Sequence, residues 1–194
     1  MFDHLMHPIV ILVRGLPGSG KSYMAERLAD AIGRARVVLL DPDATDYESE
    51  AYKKHVKAQL AEGVDPKLHA YRFLRAQAYQ GIADRKVVIW NQPFTNLDIF
   101  HKMVANFRAQ AAGHHTELRV LVVEVMLDPA VAKERVARRK REGGHGPSDA
   151  VFARFVDDYM TFANDGYDVV TVRGDAPVAQ SVATVLQAVQ DLVQ

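Results

Sequence analysis

The chain has 194 residues, 48% apolar and 25% charged, with 24 basic and 24 acidic side chains and a formal net charge of zero. That length favours one domain, spanning 1–194, whose core needs no metal or disulfide staple. Neutrality excludes a global field that would draw the chain to nucleic acid or anionic lipid, and the absence of cysteine excludes disulfides, thiol catalysis and Cys-ligated zinc. The apolar run at 8–13 is too short for a secretion signal or a membrane span, so a cytoplasmic protein with no membrane partner is expected.

Taken in order, apolar residues 9–13 predict a buried strand, followed by a glycine-rich turn and a helix over 21–32. A second strand over 36–40 runs into Asp41-Pro42-Asp43. Residues 48–62 predict a helix with a charged face, broken at 63–66. A further helix covers 67–82, with Asp65 as its N-cap and Pro66 in its first turn. The third strand, 86–90, stops at Asn91-Gln92-Pro93, and Thr95 or Asn96 caps a helix to about 112. The longest apolar run, 118–127, is the fourth strand. Asp128 and Pro129 start a basic helix to 141, and 143–147 is a glycine-rich loop. Ser148 caps a helix to about 162, 168–172 is the last strand, and 177–193 a closing amphipathic helix. No repeat or linker marks a second domain.

Continuous rather than alternating apolar strands, interleaved with helices, imply an α/β fold: a parallel sheet of about five strands with helices on both faces. Ligands in such sheets bind beyond the carboxyl ends of the strands. The functional candidates are therefore the glycine-rich turn, Asp41 and Asp43, residues 91–95, and Asp128.

Gly15, Gly20, Lys21 and Ser22 fit G-x-x-x-x-G-K-[ST] without a mismatch, between a strand and a helix. Glycines let backbone N–H groups turn inward around a polyphosphate, and the helix that follows aims its positive end at the same charge. Lys21 can reach the β- and γ-phosphates, and the Ser22 hydroxyl can ligate Mg²⁺. Gly15, Pro17, Gly18, Ser19, Gly20, Lys21, Ser22 and Tyr23 are thus the expected contacts of a nucleoside triphosphate.

Phosphoryl transfer also needs a metal, a group that orients or deprotonates the acceptor, and cations for the moving charge. Asp43 is the preferred base, with Asp41 in support; a turn-capping role for the pair is the alternative. The stretch from Lys133 to Arg141 carries six positive residues in nine positions. On a helix, Arg135, Arg138, Arg139 and Glu142 share one face, with Val131 and Val136 turned to the core. Running into Gly143, Gly144 and Gly146, this segment reads as a lid over about 133–150. The third strand is followed by Asn91 where a second nucleotide-binding motif would place Asp, and the neutral loop from Asn91 to Thr95 is a candidate wall of the acceptor pocket. Arg72, Arg75 and Tyr79 are candidates to face the acceptor, whereas Tyr71, Leu74, Ala78 and Ile82 read as core. His114 and His115 lack a third metal ligand and read as exposed. His145, in the lid, is the one histidine retained for the site.

Together, the stretch from Gly15 to Ser22, Asp41-Pro42-Asp43, the run from Arg135 to Pro147 and the ending Val172-Arg173-Gly174-Asp175 resemble the P-loop kinase superfamily of small phosphotransferases. The branch holding zeta-type toxin kinases and polynucleotide 5′-kinases is the most similar. The resemblance covers nearly the whole chain and implies a P-loop nucleoside triphosphate hydrolase fold with a helical lid, using ATP and Mg²⁺. It implies Asp43 as general base, Arg138, Arg139 or Arg141 as lid arginines, and the turn from Arg173 to Pro177 beside the adenine. It also implies that the strand ending at Asn91 lies next to the first. Two departures touch the acceptor side: Asp46 stands where a basic residue is common, and Asn91 where many members carry an acid.

The expected activity is an ATP-dependent phosphotransferase acting on a hydroxyl of a small molecule, such as a nucleoside or nucleotide sugar. The alternatives are a polynucleotide 5′-hydroxyl kinase, which the neutral charge does not favour, and a nucleotide-binding regulatory module without transfer. A GTPase is disfavoured, since no Asn-Lys-x-Asp guanine motif occurs.

Overall fold

In a computed structural model of the chain, which describes residues 5–162 and 166–193, five parallel strands form one sheet. The strands are β1 (Ile9–Arg14), β2 (Val37–Leu40), β3 (Val87–Asn91), β4 (Arg119–Met126) and β5 (Asp168–Arg173), in the order β2-β3-β1-β4-β5. The α/β sheet expected from the sequence is present, and the strand ending at Asn91 lies beside the first, as the resemblance implied. The helices are α1 (Lys21–Ile32), α2 (Glu50–Ala61), α3 (His69–Ala83), α4 (Leu97–Gly113), α5 (Pro129–Arg141), α6 (Asp149–Asp157) and α7 (Val178–Val193). Among the described residues no helix is long and apolar enough to cross a membrane.

The side-chain period of a strand sorts the apolar residues into two cores. Val10 and Leu12 of β1 face Trp90, Phe100 and Phe107 beneath α3 and α4. Ile9, Ile11 and Val13 face Leu28, Val185 and Val189 beneath α1 and α7. Every residue of β1 and β3 is buried, because both faces of the central strands are covered. A third, smaller cluster joins Leu16, from the turn after β1, to Ala132, Val136 and Phe152 of α5 and α6.

Helix starts follow the expected capping chemistry. Asp128 accepts from the N–H groups of Ala130 and Val131, Ser148 from Val151, and Asn96 rather than Thr95 from Ile99. Asp65 caps a single 3-10 turn, Pro66–Leu68, which leads into α3.

Two expectations are corrected. Helix α6 ends at Asp157, not near 162. The chain beyond it is drawn to a buried ion pair: Arg14 donates to the Met160 carbonyl at 2.6 Å, and the Phe162 N–H donates to Glu124 at 3.3 Å. Continued helix would spend those backbone groups internally. Val131 is not core; it is 39% exposed, and Ala132 takes the buried position one residue on.

That ion pair sits on neighbouring strands, Arg14 of β1 and Glu124 of β4, at 2.8 Å and almost without solvent contact. Arg14 also donates to the Phe94 carbonyl at 3.2 Å, and its guanidinium lies 4.3 Å from the Tyr159 ring and 4.5 Å from Phe162. Removing one partner strands a buried charge, which costs about 3–5 kcal/mol. Urea unfolding of Glu124→Ala is expected to show a loss of that order, whereas Arg14→Met with Glu124→Leu loses less than the two single changes added. Strict additivity would show that the pair is not coupled.

Candidate functional site

The turn after β1 is shaped by close approaches that only glycine permits. A Cβ at Gly15 would lie 2.6 Å from the Val125 carbonyl oxygen and 2.7 Å from the Ser19 hydroxyl. At Gly18, with φ +86°, it would strike the carbonyl of Ala132. Gly20, at φ +94°, occupies the N-cap of α1 without a side-chain cap, which leaves the first N–H groups of that helix for a ligand.

The parallel register then assembles the site. Leu40 pairs with Trp90 and Val13 with Asn91, so Asp41 emerges beside Asn91, and both stand beside the glycine turn. The Asn91 side-chain amide donates to the Ser22 hydroxyl at 2.9 Å and to the carboxylate of Asp41. The other Asp41 oxygen accepts the Asp43 N–H at 2.9 Å, which closes the turn and sends the Asp43 side chain outward. Asp41 therefore shapes the turn, and both carboxylates line the same cavity as the glycine turn.

These residues line a cavity of about 870 Å³. One wall is Pro17, Gly18, Gly20, Lys21, Ser22 and Tyr23; a second is Asp41, Pro42, Asp43, Asn91, Gln92 and Pro93. The third comes from α5, α6 and their connection, with Arg135, Arg138, Arg139, Glu142, His145 and Phe155. The four α5-side residues expected to share a face thus do so. Arg135 is partly committed, donating to the Gly174 carbonyl at 2.9 Å.

Lys21 is buried, and burial lowers the pKa of its ammonium group. Asp43 and Asp41 act against that shift, and Arg139 adds to it. A polyanion in the cavity would supply the compensation that the protein alone leaves incomplete.

The oxygens also fit a hard cation. Ser22 Oγ and an Asp41 carboxylate oxygen converge on one amide group, while Asn91 Oδ1 is buried without a hydrogen-bond partner. A hydroxyl, a carboxylate and an amide oxygen able to hold a water are the donor set of Mg²⁺, which binds few protein groups and keeps several waters. Among the described residues no group of three or more His, Cys, Asp or Glu side chains gathers for a metal, here or elsewhere.

Other sequence candidates stand outside this cavity. Arg141 points to the far side of α5, bordering a small crevice with Lys133, Asp149 and Phe152. Neither Arg72, which donates to Gln59 of α2 at 2.9 Å, nor Arg75, which lies over the Tyr71 and Tyr79 rings of its own helix, lines this cavity. Tyr79 packs edge-on against Phe107 in the core. Thr95 follows Pro93 without lining the cavity, and Asp128 caps α5. Arg173 pairs with Asp175 at 2.7 Å beside a second opening of about 250 Å³ that Ser19, Gly20, Tyr23 and Met24 share. Gln92 lies in the loop expected to wall the acceptor pocket, whereas Phe155 and the Arg14–Glu124 pair have no place in the sequence expectations. The pair's only signal was a charge ending one apolar run and another interrupting a second.

Structures of known proteins share this architecture at low identity. A gluconokinase from Sinorhizobium meliloti aligns over 98% of this chain and 95% of its own, with 19% identity and a TM-score of 0.57. Kti12 from Chaetomium thermophilum, solved with ADP-AlF3, aligns over 95% and 99%, with 18% identity and a TM-score of 0.59. The PezAT toxin–antitoxin system of Streptococcus pneumoniae aligns over 77% of this chain and 57% of its own, at 16% identity and a TM-score of 0.51. No curated protein sequence matches the chain. The model of the AAA domain family matches residues 10–162, and the chain belongs to that family, with the fold of the P-loop kinases.

Proposed function

We propose that the chain is an ATP-dependent kinase that moves the γ-phosphoryl group of ATP to a hydroxyl of a small molecule. The observation that carries this reading is the meeting, in one cavity, of the phosphate-binding turn, an acidic strand end and the arginines of α5. With Asp41 in reach of the metal position, Asp43 is a second carboxylate that binding alone would not need, and Arg138 and Arg139 line the same cavity.

Lys21 and the N–H groups of Gly18, Gly20, Lys21 and Ser22 hold the β- and γ-phosphates, the Ser19 N–H being taken by the Leu16 carbonyl at 3.0 Å. Ser22 would hold Mg²⁺, with Asp41 and Asn91 able to reach it through water, and the ion would supply counter-charge for the phosphates. Asp43 accepts the proton of the acceptor hydroxyl as its oxygen bonds to the γ-phosphorus. The bond from that phosphorus to the β-phosphate bridging oxygen breaks, and ADP leaves. Arg138 and Arg139 offset the charge on the moving group, while Arg173 and Asp175 border the base. Residues 133–150 form the lid of one kinase domain that works in the cytoplasm, where ATP is supplied.

Transfer of label from γ-labelled ATP with Mg²⁺, screened against small hydroxyl compounds and 5′-hydroxyl oligonucleotides, tests the reading. Label in a small molecule supports it; label in an oligonucleotide, or in free phosphate alone, overturns it. Lys21→Ala is expected to lower transfer by about 100- to 1,000-fold with the fold retained. Asp43→Asn should cut the rate by about 100- to 10,000-fold with ATP affinity nearly unchanged; a large loss of affinity would instead make Asp43 a metal ligand. Asn91→Asp sets two carboxylates side by side. Its melting temperature should fall below wild type in EDTA and recover with Mg²⁺, and equal melting in both conditions would separate Asn91 from the metal site.

A further inference from the structure

We propose that the acceptor is an uncharged, polyhydroxylated small molecule, and that Asp43 and Gln92 read two of its hydroxyls, one as hydrogen-bond acceptor and the other as donor. The proposal rests on the kinase reading and deepens it.

The charges of the cavity are segregated. Its Lys and Arg side chains belong to the phosphate-binding turn and to α5: Lys21, Arg135, Arg138 and Arg139. Arg135 already serves the Gly174 carbonyl, so the remaining three are what the triphosphate must share. The opposite wall, residues 41–43 and 91–93, carries two carboxylates, two amides and two prolines, and no cation. The nearby α3 arginines that would have supplied one are turned away, Arg72 toward Gln59 and Arg75 onto two tyrosine rings. A phosphate or carboxylate on the acceptor would therefore face Asp41 and Asp43 without a counter-charge in a partly desolvated space. A neutral acceptor meets no such opposition.

The hydrogen-bonding pattern of that wall is also determined. Trp90 is fully buried, and its indole N–H, which can only donate, is 3.1 Å from Gln92 Oε1. The carbonyl end of the Gln92 amide is thereby occupied, and its NH₂ end is left as a donor for the cavity. The Gln92 main chain is held too, its N–H donating to the Val13 carbonyl at 3.1 Å. The Asp43 carboxylate, exposed and turned from the Asp41 turn, offers the complementary acceptor. A fixed donor and an acceptor on one short wall match adjacent hydroxyls on a sugar or polyol. Pro42 and Pro93 present no N–H and suit the carbon face of such a molecule.

The experiment compares matched acceptors with γ-labelled ATP and Mg²⁺: glucose with gluconate, N-acetylglucosamine with its 1-phosphate, adenosine with AMP, and glycerol with glycerol 3-phosphate. Neutral members are expected to be labelled with kcat/KM at least tenfold above their anionic partners. Preference for the anionic member of a productive pair overturns the acceptor assignment and leaves the kinase reading intact. Label in no acceptor, with ATP still bound, overturns both. Gln92→Glu keeps the oxygen that Trp90 needs but replaces the donor NH₂ with an oxygen and adds a charge. Its KM for the neutral acceptor should rise tenfold or more with the KM for ATP unchanged. An unchanged acceptor KM, or an equal rise in both constants, removes Gln92 from acceptor recognition.

Discussion

The buried pairing of Arg14 with Glu124 is the constraint on which the site depends. Arg14 is the last residue of β1 and immediately precedes Gly15, so whatever holds it also places the start of the phosphate-binding turn. It reaches sideways to β4 and outward to the carbonyls of Phe94 and Met160. Those carbonyls lie on the loop after β3, whose first residues line the cavity, and on the segment that follows α6. Desolvating a guanidinium is costly, and the cost is offset only when its hydrogen bonds are made to well-placed partners. Here the partners are distant in sequence, so the ion pair is satisfied only in the complete fold. Phe94 reflects the demand: it sits at φ +48°, a region that disfavours a bulky side chain, with its carbonyl turned to Arg14 and its ring packed edge-on against Phe100.

The same economy appears where Asn91 stands in place of an acid. An aspartate there would oppose Asp41 in the absence of a cation. The amide instead donates to both Asp41 and Ser22, drawing two metal-seeking oxygens together without needing the ion. The site gives up one negative charge and gains preorganisation. Lys21 is buried beside this arrangement, and burial holds its pKa below the ordinary lysine value.

Most of the scaffold was legible because it obeys local rules. Unbroken apolar runs gave parallel strands, glycines at 15, 18 and 20 marked the turn, and Asp65, Asp128 and Ser148 capped the elements they precede. The glycine motif and the face shared by Arg135, Arg138 and Arg139 also follow from spacing alone. What was not legible depends on contacts between distant segments. Helical spacing does put Tyr71, Arg75 and Tyr79 side by side, but it cannot tell that Arg72 will reach Gln59 of α2. It did not stop α6 at Asp157, because the competing hydrogen bonds come from β1 and β4. Gln92 was placed in the pocket wall by its position after β3, but which end of its amide Trp90 occupies could be seen only in the fold.

Packing beneath α5 decides how the lid arginines work. Leu16 of the phosphate-binding turn is buried with Ala132, Val136 and Phe152, Gly18 abuts the Ala132 carbonyl, and Arg135 is tied to Gly174. Swinging α5 away as a rigid body would open that apolar contact, expose Leu16 and break the Arg135 bond. Burial of several such side chains is worth a few kcal/mol, roughly 1.5–3 kcal/mol for each large one fully removed from water. Arg138 lies one turn from Arg135 on the same face, so its direction is inherited from this anchor rather than created by closure. The Gly144 N–H donates back to the Arg139 carbonyl, so the turn after the helix folds onto that same end. A movement that keeps these contacts leaves only the end of α5 and the turn around His145 and Pro147 to shift. In the proposed kinase the lid would therefore be that distal part of 133–150, with the rest of α5 held to the glycine turn.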